Sequence, residues 1–177
     1  MRERGFTLVE LMVTLVVAGI LVTISYPSLS RFFRDNQLGS DASQLQSMLV
    51  TARHHALNYQ MPVIVCPLVN GACSNNWSGE LSAFVDSDGN GSKGNDEEVL
   101  LTLEAVSYQR VYAQTSIRFG ADGMLTTNAG TIRICEGDDS GLYNGVIVTK
   151  TGRSRVAEDD DHNGKRDDLN GNPISCT

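Results

Sequence analysis

Two acidic runs, one basic run and four cysteines have the residue types and spacing to do chemistry in this chain. Asp86-x-Asp88-x-Asn90-Gly91, followed after five residues by Glu97, fits the Ca²⁺ loop pattern D-x-[DN]-x-[DN]-G-x5-E at every position. In such a loop alternate Asp and Asn oxygens converge on one ion, Gly91 permits the sharp turn, and Glu97 closes the shell with both oxygens. The competing reading is a plain solvated turn. No helix is predicted on either side, and Gly89, Gly94 and Asn95 suit an exposed hairpin loop. A second run, Asp159-x-Asp161-x-Asn163-Gly164, repeats the first half of the pattern. Its twelfth position is Asn170, which lacks a bidentate carboxylate, although Asp167 and Asp168 lie close by.

Lys150-Thr151-Gly152-Arg153-Ser154-Arg155 is the one compact basic patch outside the N-terminal region. Arg153 and Arg155 are separated by one residue, so on an extended segment they face the same way and can grip neighbouring phosphates. Arginine suits this because it stays charged and presents a rigid fork of donors. Glu158-Asp159-Asp160-Asp161 follows directly and repels phosphate unless it points away or holds a cation. A Ca²⁺ ion bound there would couple ion occupancy to DNA affinity. The alternative is that Arg153 and Arg155 pair with those acids or with an adjoining protein. The formal net charge of −7 argues against a general nucleic-acid binder without excluding a small basic patch.

Cys66, Cys73, Cys135 and Cys176 suit two disulfides in a domain exported to an oxidising compartment. Three pairings are open; we favour Cys66–Cys73, closing a short loop, and Cys135–Cys176, stapling the C-terminal segment to a core strand. The cysteine spacings lack a C-x-x-C and have no nearby His pair to suggest zinc, and G-x-S-x-G, P-loop and H-E-x-x-H motifs are absent, so catalysis is not expected. His54 and His55 are adjacent, about 100° apart on a helix, and make a poor shared site.

The elements that must position these groups follow from periodicity. Leu38, Ala42, Leu45, Leu49, Ala52 and Ala56 recur in steps of three and four, one stripe of an amphipathic helix reaching about Leu57. From Met61 the pattern becomes strand-like: Val63–Cys66, Leu81–Val85, Val99–Leu103, Val111–Phe119, Thr131–Cys135 and Val146–Thr149. Gly120-Ala121-Asp122-Gly123 reads as a turn between two strands. The expected class is α+β, a long N-terminal helix packed on an antiparallel β-sheet domain.

In front of the amphipathic stripe stands an unusual N-terminus. Met1-Arg2-Glu3-Arg4-Gly5 is a short basic leader, followed by roughly 20 mostly apolar residues, a helix of ~30 Å, about a bilayer core. No A-x-A cleavage site follows. Glu10 lies one turn inside the apolar run, where a carboxylate costs roughly 2.5–3.5 kcal/mol unless it has a partner. A free α-amino group on a neighbouring copy would serve.

Gly5-Phe6-Thr7-Leu8-Val9-Glu10 resembles the cleavage site of type IV prepilins and type II secretion pseudopilins. The resemblance implies that a prepilin peptidase cuts after Gly5 and N-methylates Phe6, that Glu10 pairs with a neighbouring subunit's N-terminal amine, and that Pro27 falls where many pilins kink this helix. Residues 47–56 followed by a strand, a Cys loop and Phe84-Val85-Asp86-Ser87-Asp88-Gly89 resemble the GspH/FimT/FimU branch, minor subunits at the filament tip. The G-R-x-R of Gly152–Arg155 resembles the motif through which FimT-type pilins bind DNA during natural transformation, and also occurs in FimU-type subunits with structural roles. The implied layout is a leader over 1–5, a transmembrane and filament-core helix over 6–27, its amphipathic second half over 28–58, and a globular β-rich domain over 59–177. The implied product is a minor pilin at or near the tip of a type IV pilus, with a type II secretion pseudopilin as the alternative. Its implied partners are other pilins or pseudopilins, prepilin peptidase, the inner membrane and double-stranded DNA. It would cross the bacterial inner membrane once, with its globular domain periplasmic, before entering the filament. Apart from Ca²⁺ at Asp86, Asp88, Asn90 and Glu97, no cofactor is expected.

Overall fold

The computed structural model describes residues 7–137 and 141–176. One helix, α1 (Leu8–Tyr59), precedes nine strands: β1 (Val63–Val69), β2 (Ala72–Cys73), β3 (Leu81–Val85), β4 (Val99–Leu103), β5 (Gln109–Val111), β6 (Ile117–Phe119), β7 (Gly130–Cys135), β8 (Tyr143–Val148) and β9 (Ser154–Val156). The chain divides into two compact units, Met1–Asn36 and Gln37–Thr177.

In the first unit α1 exposes its apolar side chains. Leu8, Val13, Val16, Ile20 and Leu21 are each more than half accessible. Its hydroxyls turn back on the helix, Thr14 to the Leu11 carbonyl and Thr23 to that of Ile20, both at 2.8 Å, so they need no outside partner. Among the described residues no helix is long and apolar enough to cross a membrane. The span expected over 6–27 includes Phe6 and the side chains of residues 22, 24, 25 and 27, which lie outside the described set. What remains of it carries Glu10, Gly19 and three threonines among the apolar residues.

The second unit is built on the stripe read from the sequence. Leu38, Ala42, Leu45, Leu49, Ala52 and Ala56 are all buried, with Met48 beside them. Two antiparallel sheets pack on this face. One has the order β2-β1-β3-β4 with β6 on the other side of β1; the second runs β5-β7-β8-β9. Strand alternation divides the core. Val63 and Val65 join the helix-facing cluster, while Ile64 and Cys66 pack behind with Phe84. Behind the second sheet, Ile147 of β8 is covered by Ala157 and Ile174.

The single strand expected over Val111–Phe119 is two. β5 pairs with β7 and β6 with β1, so residues 112–116 pass from one sheet to the other. The physical reason is the polar Gln114-Thr115-Ser116 interruption, whose Gln114 carbonyl accepts the buried Trp77 indole N–H at 2.8 Å. The short β2 and β9 carry too few residues to announce themselves by alternation. The structure contains the disulfides Cys66–Cys73 and Cys135–Cys176. In the chain-entropy account the second, spanning 41 positions, contributes about 4 kcal/mol.

A charge sits inside the helix stripe. Asp41 and Arg110 are 4% and 5% exposed. Arg110 Nε donates to Asp41 Oδ2 at 2.9 Å and Nη2 donates to Oδ1, a bidentate pair joining α1 to β5. Burial, and then the Asp41 charge, push the neighbouring Tyr108 phenol up to about 12. Removing one partner strands a buried charge, so Asp41→Ala is expected to cost about 3–5 kcal/mol. The paired change Asp41→Leu/Arg110→Met should recover most of that loss. Urea unfolding of the three proteins checks this; a single-variant loss under about 1 kcal/mol would show that water, not Asp41, neutralises Arg110.

Candidate functional site

The basic patch is a hairpin turn between β8 and β9. Gly152 N donates to the Thr149 carbonyl and Thr149 N to the Arg153 carbonyl, both at 2.9 Å. Gly152 has φ +77° and is buried; a Cβ there would run into the Gly123 carbonyl oxygen and lie 2.9 Å from Arg53 Nε. Arg53 Nε itself donates to that carbonyl at 3.0 Å, so α1, the turn at 120–123 and the turn at 149–153 meet at one point. The Gly120–Gly123 turn is closed by a 2.8 Å amide–carbonyl bond.

Lys150, Arg153 and Arg155 are all exposed. Lys150 Nζ donates to the Thr127 carbonyl at 3.0 Å. Arg155 Nη2 donates to Asp160 Oδ2 at 2.8 Å, an exposed pair in the class contributing about 0–1 kcal/mol. Arg153 shows no side-chain hydrogen bond or ion pair among the described residues. The two arginines therefore differ: one is engaged by the acidic loop and the other is open to a ligand.

In the first acidic loop, oxygens of Asp86, Asp88 and Glu97 lie within 4.8 Å of one another. Much of their capacity is used locally. Asp86 Oδ1 accepts the Gly91 amide at 3.1 Å, Glu97 Oε1 accepts the Ser87 amide and Oε2 the Gly94 amide, both at 2.8 Å. Asp88 and Asn90 bond each other, with Asn90 Nδ2 donating to Asp88 Oδ2 at 2.6 Å. The Arg118 guanidinium lies against Gly91, 2.5 Å from where a Cβ would stand, and brings positive charge to this loop.

In the second loop, oxygens of Asp159, Asp161 and Asp167 lie within the same 4.8 Å. Asp159 takes the Asn163 and Gly164 amides at 3.0 and 2.8 Å. Against desolvation, which raises it, the Gly164 and Asn163 amides hold the Asp159 carboxyl below its ordinary value. Asp167, which the sequence placed only nearby, is the buried member at 1% exposure.

At the N-terminus, Gly5 and Phe6 lie outside the described residues. Thr7 and Glu10 form a reciprocal cap: the Glu10 amide donates to Thr7 Oγ1 at 3.3 Å and the Thr7 amide to Glu10 Oε2 at 3.4 Å. The T-x-x-E spacing was a sequence signal for this, overlooked beside the apolar run. The helix continues through residue 27, although the Pro27 side chain lies outside the described set. His54 is exposed, while His55 stacks on Tyr59 with ring centroids 4.4 Å apart.

The family model described as Type II transport protein GspH matches residues 41–152, more than half of the chain. The chain belongs to the GspH family. A second model, the prokaryotic N-terminal methylation motif, matches residues 1–26 of this GspH-family chain. No curated protein matches it significantly. The type IV minor pilin FimU of Pseudomonas aeruginosa has a similar fold in two crystal forms, with TM-scores of 0.56 and 0.57 at 20% and 22% identity. The alignments cover 68% and 72% of this chain and 92% of each FimU chain. The family is one of filament subunits, minor pilins and pseudopilins, and not of enzymes. The GspH match takes in the first acidic loop and Gly152, and stops before Arg153 and the second loop.

The packing of Gly152 separates the parts of the G-R-x-R run. Gly152→Ala should destabilise the fold by about 1–3 kcal/mol, because positive φ and a blocked Cβ act together. Arg153→Gln should leave stability within about 0.5 kcal/mol. Melting curves of both variants check this; equal stability of Gly152→Ala and wild type would show that the turn relaxes freely.

Proposed function

We propose that this chain is a minor pilin, cut after Gly5, methylated on Phe6, held in the bacterial inner membrane by the start of α1 and then built into a type IV pilus at or near its tip. The observation that carries this reading is the methylation-motif match over 1–26, leading into a helix whose apolar side chains stay exposed. Such a surface needs a lipid or subunit environment. Glu10 supports the assembly role, since its 3.4 Å cap to Thr7 is long for a hydrogen bond and leaves the carboxylate able to take a neighbour's amine. FimU supplies the pilus reading, and the family description supplies the alternative, a type II secretion pseudopilus. In cells, Gly5→Val should retain the five-residue leader by mass spectrometry, whereas Glu10→Ala should be cut normally but drop out of sheared filaments. Normal incorporation of Glu10→Ala would remove the assembly role. Cross-linking of the wild-type chain to pilus or to secretion subunits decides between the two machines.

A second reading, DNA capture for uptake, is favoured by the exposed Arg153, without a side-chain partner among the described residues, beside Lys150. The Arg155–Asp160 pair opposes it, because phosphate must displace a carboxylate there. In a mobility shift with the full chain in detergent, Arg153→Gln/Arg155→Gln should weaken binding to duplex DNA and lower the salt slope by about two. Binding unchanged in the double variant would return both arginines to contacts with other subunits.

A further inference from the structure

The second acidic loop contains a feature that the first lacks. Its ends are fixed: Ala157 and Ile174 are buried behind β8, the Asp167 amide donates to the Glu158 carbonyl at 2.8 Å, and the Ile174 amide to the Arg166 carbonyl at 2.9 Å. Between those ends, residues 158–172 bury no apolar side chain. The one buried residue among them is a carboxylate, Asp167, at 1% exposure. Asp167 Oδ2 accepts the Asp160 amide at 2.9 Å. Its Oδ1 is buried with no hydrogen-bond partner among the described residues. A buried carboxylate oxygen without a donor is costly unless a cation meets it.

We propose that residues 159–167 form a Ca²⁺ site, with Asp159, Asp161, Asn163 and Asp167 as its side-chain ligands. These residues are positions one, three, five and nine of a Ca²⁺ loop, and Gly164 at position six has the φ of +83° that the turn requires. Carboxylate oxygens of Asp159, Asp161 and Asp167 already stand within 4.8 Å of one another. Three carboxylates and one amide make an all-oxygen set, which suits a hard cation, and the irregular geometry of such a loop suits Ca²⁺ better than the smaller Mg²⁺, which demands near-ideal octahedral coordination. Asn170 at position twelve is replaced in effect by the buried ninth position, so the missing bidentate residue does not disqualify the loop. The first loop matches the full pattern but uses its Glu97 oxygens on its own amides and has Arg118 beside it. The site does not depend on which filament the chain enters.

The test is calorimetric titration of the full chain in detergent with CaCl₂ after EGTA treatment, alongside thermal melts with and without the ion. Wild type should bind one Ca²⁺ per chain, melt at higher temperature with it, and bind Mg²⁺ more weakly. Asp161→Asn, an exposed position, should weaken Ca²⁺ binding by about tenfold or more and leave the metal-free melt unchanged. Asp167→Asn should abolish it, and Glu97→Gln in the first loop should leave it intact. Absence of heat and of any melting shift at millimolar Ca²⁺ would overturn the proposal. So would loss of binding in Glu97→Gln with retention in Asp161→Asn, which would move the ion to the first loop. Equal affinity for Mg²⁺ would overturn the choice of Ca²⁺.

Discussion

The face of α1 that the globular unit is built against carries a charge in its middle. Asp41 lies between Leu38 and Leu45 on that face, and the Arg110 guanidinium, arriving from β5, makes its burial tolerable. The pair therefore fixes where β5 stands, and β5 in turn is the edge on which β7, β8 and β9 are laid. Alanines at 42, 52 and 56 leave the surrounding face shallow, which lets apolar strands approach from both sheets. An apolar pair would hold the same two elements with less specificity of position. A bidentate ion pair tolerates little sliding, so register is what it adds.

Sequence periodicity exposed the larger parts of this design and missed the smaller ones for physical reasons. The α1 stripe was legible because six apolar residues at helical spacing leave no other face to bury. Asp41 was not, since a lone carboxylate near an apolar stripe looks like a solvated residue until its partner 69 positions away is placed beside it. β1, β3, β4, β7 and the second half of β8 declared themselves through β-branched and aromatic runs. The run from Val111 to Phe119 misled because its residue types persist across a change of sheet. Around the basic patch, the residues were legible and their states were not: the sequence showed Arg153 and Arg155 as equals, whereas Asp160 engages only the second.

The two acidic loops show how little a pattern match says about electrostatics. The loop matching every letter is stitched by its own amides, with an arginine against its glycine. The loop matching half of them holds a buried carboxylate oxygen with no hydrogen-bond partner among the described residues. Position in the fold makes the difference. The first loop joins two paired strands, β3 and β4, whose ladder already fixes its ends. The second crosses the back of a sheet with no apolar side chain of its own to hold it down.

The two disulfides bear on the order in which these parts are secured as the cysteines oxidise. Cys66 and Cys73 are 7 positions apart, and their loop closes readily as soon as both are exposed. Cys135 must wait for Cys176, 41 positions later. A half-oxidised intermediate would thus have β1 tied to β2 and the rear of its second sheet covered by Ala157 and Ile174 without a covalent latch. That intermediate is where a protease or a thiol-exchange enzyme would find the chain most open.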